Sequence, residues 1–196
     1  ILIEKPLHDN YEILKKILIN KKVKTFNKVV GYNRRSYFVV DKLKKKIIKT
    51  NLKSVNVNIS ENFTSIKKKF KSDAKSKFLY TGSSSHIIDL LYYLLGELKI
   101  IKKWKLEKKD NLSFCLVLVN KNNIPININI NPSDPFNPKI DFRFKDETLW
   151  QLSPIEELSI FKSNYIKNTK KNFFKREYKP NLLSNLKENI KDRPGF

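Results

Sequence analysis

The segment Ile124-Pro125-Ile126-Asn127-Ile128-Asn129-Ile130 constrains this chain more than any other, because isoleucine alternates strictly with a residue that is not apolar-buried by habit. Side chains of a strand point to opposite faces in turn, so this segment has one face of four isoleucines and another of Pro125, Asn127 and Asn129. A slip of one residue would put every isoleucine in water, which fixes the register. Such a strand belongs to an antiparallel sheet that is covered on one side. Val55, Val57 and Ile59 alternate with Asn56 and Asn58 in the same way. Ile100 to Leu106, Leu112 to Val119 and Ile140 to Phe144 read as further strands, with Asn122-Asn123 as a hairpin turn.

The opening has a different rhythm. Ile1-Leu2-Ile3 reads as the end of a buried strand stopped by Pro6. Asp9 and Glu12 have capping-box spacing, and Tyr11, Leu14 and Leu18 continue a helix to about Asn20. Lys28 to Tyr32 gives a second strand, and Phe38, Val39, Leu43 and Ile47 a second helix, so the start alternates as an α/β unit does. Residues Glu61 to Ser76 read as a long polar excursion. Ser83-Ser84-Ser85 can cap a helix from His86 to Leu95, apolar nearly all round and ended by Gly96. The C-terminal third reads as a Lys- and Asn-rich stretch and then a short helix near Leu182, Leu183, Leu186 and Ile190, closed by Pro194-Gly195.

Charge and composition narrow the function classes. The net charge is +22, yet only five of the 41 basic residues are Arg. Groups that clamp phosphates or read base edges lean on the forked guanidinium, whereas here Lys is scattered along the whole chain. Nucleic acid is therefore not the expected partner. The longest apolar run, Ile87 to Leu95, contains Asp89 and falls well short of the roughly 20 residues of a bilayer span. Cys115 is the single cysteine, which excludes an internal disulfide and a cysteine-based zinc site; no metal is expected, and the compartment expected is the cytoplasm. With no Met among 196 residues and Ile1 inside an apolar run, the sequence reads as a fragment or an incomplete record.

Three groups of residues could carry chemistry. Glu4-Lys5-Pro6 follows an apolar strand, and in α/β sheets ligands bind outside the carboxyl ends of strands. Gly31-Tyr32-Asn33-Arg34-Arg35 repeats that arrangement with two adjacent Arg in an Arg-poor chain. His86 and Asp89, three apart, share a helix face, and the helix dipole at the first turn favours a neutral imidazole that can move a proton.

Taken in order, Glu4-Lys5-Pro6-Leu7, Gly31-Tyr32-Asn33-Arg34-Arg35, and Ser85-His86-Ile87-Ile88-Asp89-Leu90-Leu91 with Tyr93-Leu94-Leu95-Gly96 resemble the glucose–fructose oxidoreductase, inositol dehydrogenase and MocA (Gfo/Idh/MocA) family over about Ile1 to Gly96. The resemblance implies a nicotinamide-dependent oxidoreductase of sugars, polyols or related hydroxy compounds, using NAD or NADP. It implies an α/β (α+β) fold: the end of a Rossmann-like domain, residues 1–30, followed by an open, mostly antiparallel sheet with helices on one face, residues 31–196, for substrate binding and dimerisation. Lys5 and His86 would be catalytic, Lys5 holding the reacting hydroxyl and His86 taking its proton. Glu4, Lys5, Pro6 and Arg34 would meet the cofactor; Asn33, Arg35 and Asp89 would bind substrate. The Gly-x-Gly-x-x-Gly fingerprint is absent, so the main cofactor site is expected upstream of Ile1. Gly82 stands where the family has an Asp four residues before the catalytic His, which leaves open an inactive relative that acts as a binding or scaffold module. The Ile-rich sheet face needs a cover, either helices or a second copy, and a homodimer is expected.

Overall fold

The computed structural model describes residues 2–3, 11–19, 29–49, 51–61, 68, 83–108, 111–132, 137–168 and 176–189. Strands β1 (Leu2–Ile3) and β2 (Val29–Val30) pair in parallel, Leu2 opposite Val29 and Ile3 opposite Val30. Parallel neighbours need a crossover, and α1 (Tyr11–Ile19) lies between them in sequence. The two strands therefore end side by side, with the chain leaving Ile3 and Val30 in the same direction. A four-residue 3-10 helix (Asn33–Ser36) and helix α2 (Phe38–Lys49) follow.

The rest is built on one eight-stranded sheet. Strand β3 (Leu52–Glu61) precedes helix α3 (Ser83–Leu95), and seven strands come after it. These are β4 (Leu98–Lys108), β5 (Asn111–Asn120), β6 (Pro125–Pro132), β7 (Lys139–Phe144), β8 (Thr148–Leu152), β9 (Glu157–Asn168) and β10 (Arg176–Lys187). Across the sheet they run β10-β9-β8-β7-β3-β6-β5-β4. All neighbours are antiparallel except β3 and β6, which are parallel. This is the mostly antiparallel sheet expected from the alternating strands.

The isoleucine face is buried inside the chain. Ile126, Ile128 and Ile130 share one core with Val55, Val57, Ile59, Phe142 and Ile140 from the sheet, Ile87, Leu90, Leu91 and Leu94 from α3, and Val39, Val40 and Leu43 from α2. Helices thus cover one face, as expected, and that face needs no second copy to shield it. The opposite face carries amides. In-register parallel pairing sets Asn56 beside Asn127 and Asn58 beside Asn129. Asn127 Nδ2 donates to Asn56 Oδ1 at 3.1 Å, and Asn129 Nδ2 donates to Asn58 Oδ1 at 3.3 Å. Gln151 Nε2 donates to Asp141 Oδ1 at 2.9 Å farther along the row.

Two expectations are corrected here. The residues around Leu182, Leu183 and Leu186 form the edge strand β10, not a short helix; Ile190 lies outside the described residues. Their spacing imitates a helix because register shifts between Pro180 and Asn181 and between Leu182 and Ser184 break the two-residue rhythm. Pro180, which cannot donate to a ladder, is tolerated in β10 because the strand is at the edge. Glu61 is the last residue of β3 rather than the start of a polar excursion, and it is only 2% exposed. Of the rest of that excursion, only Lys68 is described. The expected hairpin turn at Asn122-Asn123 is present: Asn120 Oδ1 accepts from the amides of Asn122 and Ile124, and Asn123 has φ 58°, a left-handed value that asparagine tolerates.

Candidate functional site

The site is built where β2 ends. The chain turns tightly at Gly31, with the Tyr32 amide donating to the Val30 carbonyl at 2.7 Å, and enters the 3-10 helix. That helix is fastened by Tyr37, whose ring is buried and whose amide bonds to the Arg34 carbonyl at 3.3 Å. Arg34 and Arg35 are therefore presented on a short, internally bonded segment rather than on a free loop.

Helix α3 supplies the other half. Its apolar side chains Ile87, Leu90, Leu91 and Leu94 seat it on the sheet. Gly96 ends it with φ +77° and with its amide on the Tyr92 carbonyl at 2.9 Å, a left-handed cap that a side chain would strain. His86, Asp89 and Tyr93 are left half-buried on its remaining faces. The Tyr32 ring meets the His86 ring edge-on, with centroids 5.8 Å apart and planes at 90°. Arg35 Nε donates to Asp89 Oδ2 at 2.7 Å, and Arg35 Nη2 donates to Asp89 Oδ1, a two-pronged ion pair. The same guanidinium lies 5.9 Å from the Tyr32 ring and 5.5 Å from the Tyr93 ring.

The electrostatics follow from these contacts. The bond to Asp89 raises the pKa of Arg35 further, so the guanidinium stays charged. Burial, and then the Asp89 charge, push the Tyr32 phenol above its ordinary value, while Arg35 pulls it back. Tyr32 is thus a neutral phenol beside the imidazole. Arg34 Nη1 is buried and has no hydrogen-bond partner among the described residues.

The structure brings His86, Asp89 and Arg35 together, and Asn33 and Arg34 are on the same short segment as Arg35. Glu4, Lys5, Pro6 and Gly82 lie outside the described residues. The serines expected to cap α3 lie within it, and Ser84 is itself capped: Glu61 accepts from both its backbone amide and its hydroxyl. Sequence reasoning missed Glu61 in this role. The signal was present, because Glu61 continues the two-residue rhythm of Val55, Val57 and Ile59 onto the apolar face.

A dinucleotide's pyrophosphate does not fit the described residues. The four glycines, Gly31, Gly82, Gly96 and Gly195, include no Gly-x-Gly pair. At Gly31, the glycine on a strand end, the amides of Tyr32, Arg35 and Tyr37 are spent on neighbouring carbonyls instead of facing an anion. Among the described residues no group of His, Cys, Asp and Glu could hold a metal ion, and no helix is long and apolar enough to cross a membrane.

No family model matches the sequence, and no curated protein matches it. Solved structures do match. A dehydrogenase from Chromobacterium violaceum superposes with a TM-score of 0.72 at 16% identity, over 97% of this chain and 55% of that one. A super-repressor mutant of Gal80p from Saccharomyces cerevisiae gives 0.69 at 12%, over 93% and 53%. Levoglucosan dehydrogenase in complex with NADH and L-sorbose gives 0.65 at 15%, over 92% and 53%. At such identities the likeness is one of fold, and this chain spans about half the length of each of these structures. The fold is the one implied by the Gfo/Idh/MocA resemblance.

Proposed function

We propose that this chain is the substrate-binding portion of a cytoplasmic NAD(P)-dependent oxidoreductase acting on a sugar, polyol or related hydroxy compound. Residues 1–30 would close its nucleotide-binding domain, and 31–196 would form the substrate and dimerisation domain. The observation that carries the reading is the meeting of His86 with Tyr32 and the Arg35–Asp89 pair at the end of β2. A half-buried imidazole held edge-on by an aromatic ring is placed to take a hydroxyl proton. Arg35 and Asp89 hold the 3-10 segment against α3 and present polar edges to hydroxyl groups, and Arg34 Nη1 is a further donor for a substrate oxygen. Lys5 would polarise the reacting oxygen. A nicotinamide would receive the hydride, with its pyrophosphate held by residues other than those of this chain.

The fold neighbours support this reading: one is a levoglucosan dehydrogenase bound to NADH and L-sorbose, another an oxidoreductase bound to NAD+ and L-tartaric acid. The test is substrate-dependent reduction of NAD(P) by the natural full-length polypeptide, whose intact mass is first set against 23.2 kDa. His86→Ala should lower kcat at least 100-fold, the scale of general-base catalysis, with the fold intact. Unchanged turnover rejects His86 as the base. A homodimer through the open sheet face belongs to the same proposal, and a monomer at micromolar concentration in sedimentation rejects it.

A binding module without catalysis is the second reading. The two-pronged Arg35–Asp89 bond favours it, because it occupies both oxygens of the carboxylate expected to hold substrate. Binding of a polyol without cofactor reduction by the full-length protein would decide for it.

A further inference from the structure

Glu61 is a carboxylate 2% exposed at the end of a core strand, and its Oε1 accepts from both the backbone amide and the hydroxyl of Ser84. Ser84 is fully buried and stands two residues before His86 in the same first turn. We infer that Glu61 is the positioning residue for His86, fixing the first turn of α3 and setting the protonation of the imidazole through a negative charge at the helix N-terminus.

A free helix N-terminus carries a partial positive charge that lowers the pKa of an imidazole in its first turn. A carboxylate bonded to that terminus opposes the effect and keeps the imidazole a better base. Glu61 is held there by sequence as well as by bonds, since its place on the apolar face of β3 is fixed by Val55, Val57 and Ile59. Gly82 has no side chain to orient or balance His86, whereas Glu61 brings a charge to the same turn from a neighbouring strand. The Tyr32 ring meets His86 edge-on, Asp89 stands three residues on along the same helix and is bonded to Arg35, and Arg34 is the neighbour of Arg35 on the 3-10 segment. Arg35 and Asp89 are paired with each other and Tyr32 is neutral, which leaves Arg34 as the cation on the 3-10 segment to set against the Glu61 charge.

The inference rests on the reading of His86 as a base, but its test is independent of turnover. The chain has two histidines, His8 and His86, so imidazole resonances can be assigned with a His8→Gln variant and titrated by NMR. Glu61→Gln keeps the shape and an acceptor oxygen but removes the charge; it should lower the His86 pKa by about half a unit. Ser84→Ala removes one donor from the carboxylate and should raise the His86 pKa. Opposite shifts, with His8 unmoved in the parent background, support the inference. No shift in Glu61→Gln, or shifts of the same sign in both variants, overturn it. If Glu61→Gln does not fold, Ser84→Ala decides alone: an upward shift supports the inference and its absence overturns it. If the shifts appear while His86→Ala leaves turnover intact, the functional reading fails and the positioning role stands.

Discussion

The two faces of the sheet come from the same strands and are held by opposite means. On β6, Ile126, Ile128 and Ile130 face the helices, and Asn127 and Asn129 face away from them. Burial of the first set is driven by removal of apolar area from water and is worth about 1.5–3 kcal/mol per side chain. The second set exchanges water for amide partners, for a net gain of about 1 kcal/mol per bond at most. The strand thus takes its place from one face, and the other face is free to be polar at little cost.

The largest effect that would test this contrast is on the covered side. Ile128→Ala should cost about 2–5 kcal/mol in urea unfolding, whereas Asn127→Ala should cost less than about 1 kcal/mol. Equal losses would mean that the amide row contributes as much as the core. Next comes the link between the 3-10 segment and α3. Asp89 is 11% exposed on its side chain and Arg35 46%, so Arg35→Ala leaves the less exposed charge without its partner. The loss should be about 1–3 kcal/mol, with a coupling of about 1 kcal/mol or more in a double-mutant cycle with Asp89→Asn. Additive effects would show that the pair is not a clamp. Gly96→Ala should cost about 1 kcal/mol through its left-handed φ alone, since nothing lies within 4 Å of an added Cβ.

The smallest effect is electrostatic and ties helix to sheet. Lys46 of α2 donates to Asp146 in the β7–β8 turn at 2.5 Å, and with Thr148 it holds the Asp146 carboxyl at about 2, below its ordinary 3.8. A lowered folded pKa means stability that is present above about pH 3.8 and lost as pH falls through about 2. Asp146 is 42% exposed, so solvent screening holds the contribution below about 1 kcal/mol. Asp146→Asn should therefore lower stability at neutral pH by no more than that amount and leave it nearly unchanged near pH 2, so that the acid limb of the profile flattens slightly.

How far the sequence discloses this molecule depends on the length of its signals. The strands with clean alternation, β3 and β6, and the apolar helix ending at Gly96 are legible because burial of one face dictates each of them. β8 and β9 were not foreseen. Trp150, Ile160 and Phe161 are only half-buried there, and Lys162, Asn164, Lys167 and Asn168 crowd the end of β9. β10 reads as a helix because its bulges scramble the period. For the candidate site, the tandem arginines and His86 stand out by rarity, and the family resemblance is what links them. Glu61 did not stand out: an acid at a strand end reads as a loop unless its parity with Ile59 is followed.

The parallel pairing of β3 with β6 also makes the centre of the sheet its least local part. Strands β4 to β6 form one run of antiparallel neighbours and β7 to β10 another, each joined by local connections. β3 is inserted between them, with Asn56 and Asn127 separated by 71 positions in the chain. The entropy of closing so long a loop must be overcome before that pairing gains anything. The two runs can therefore order first, with an empty lane between β6 and β7, and β3 enters last. β3 also carries Glu61, so the strand that joins the two runs is the one that reaches the first turn of α3.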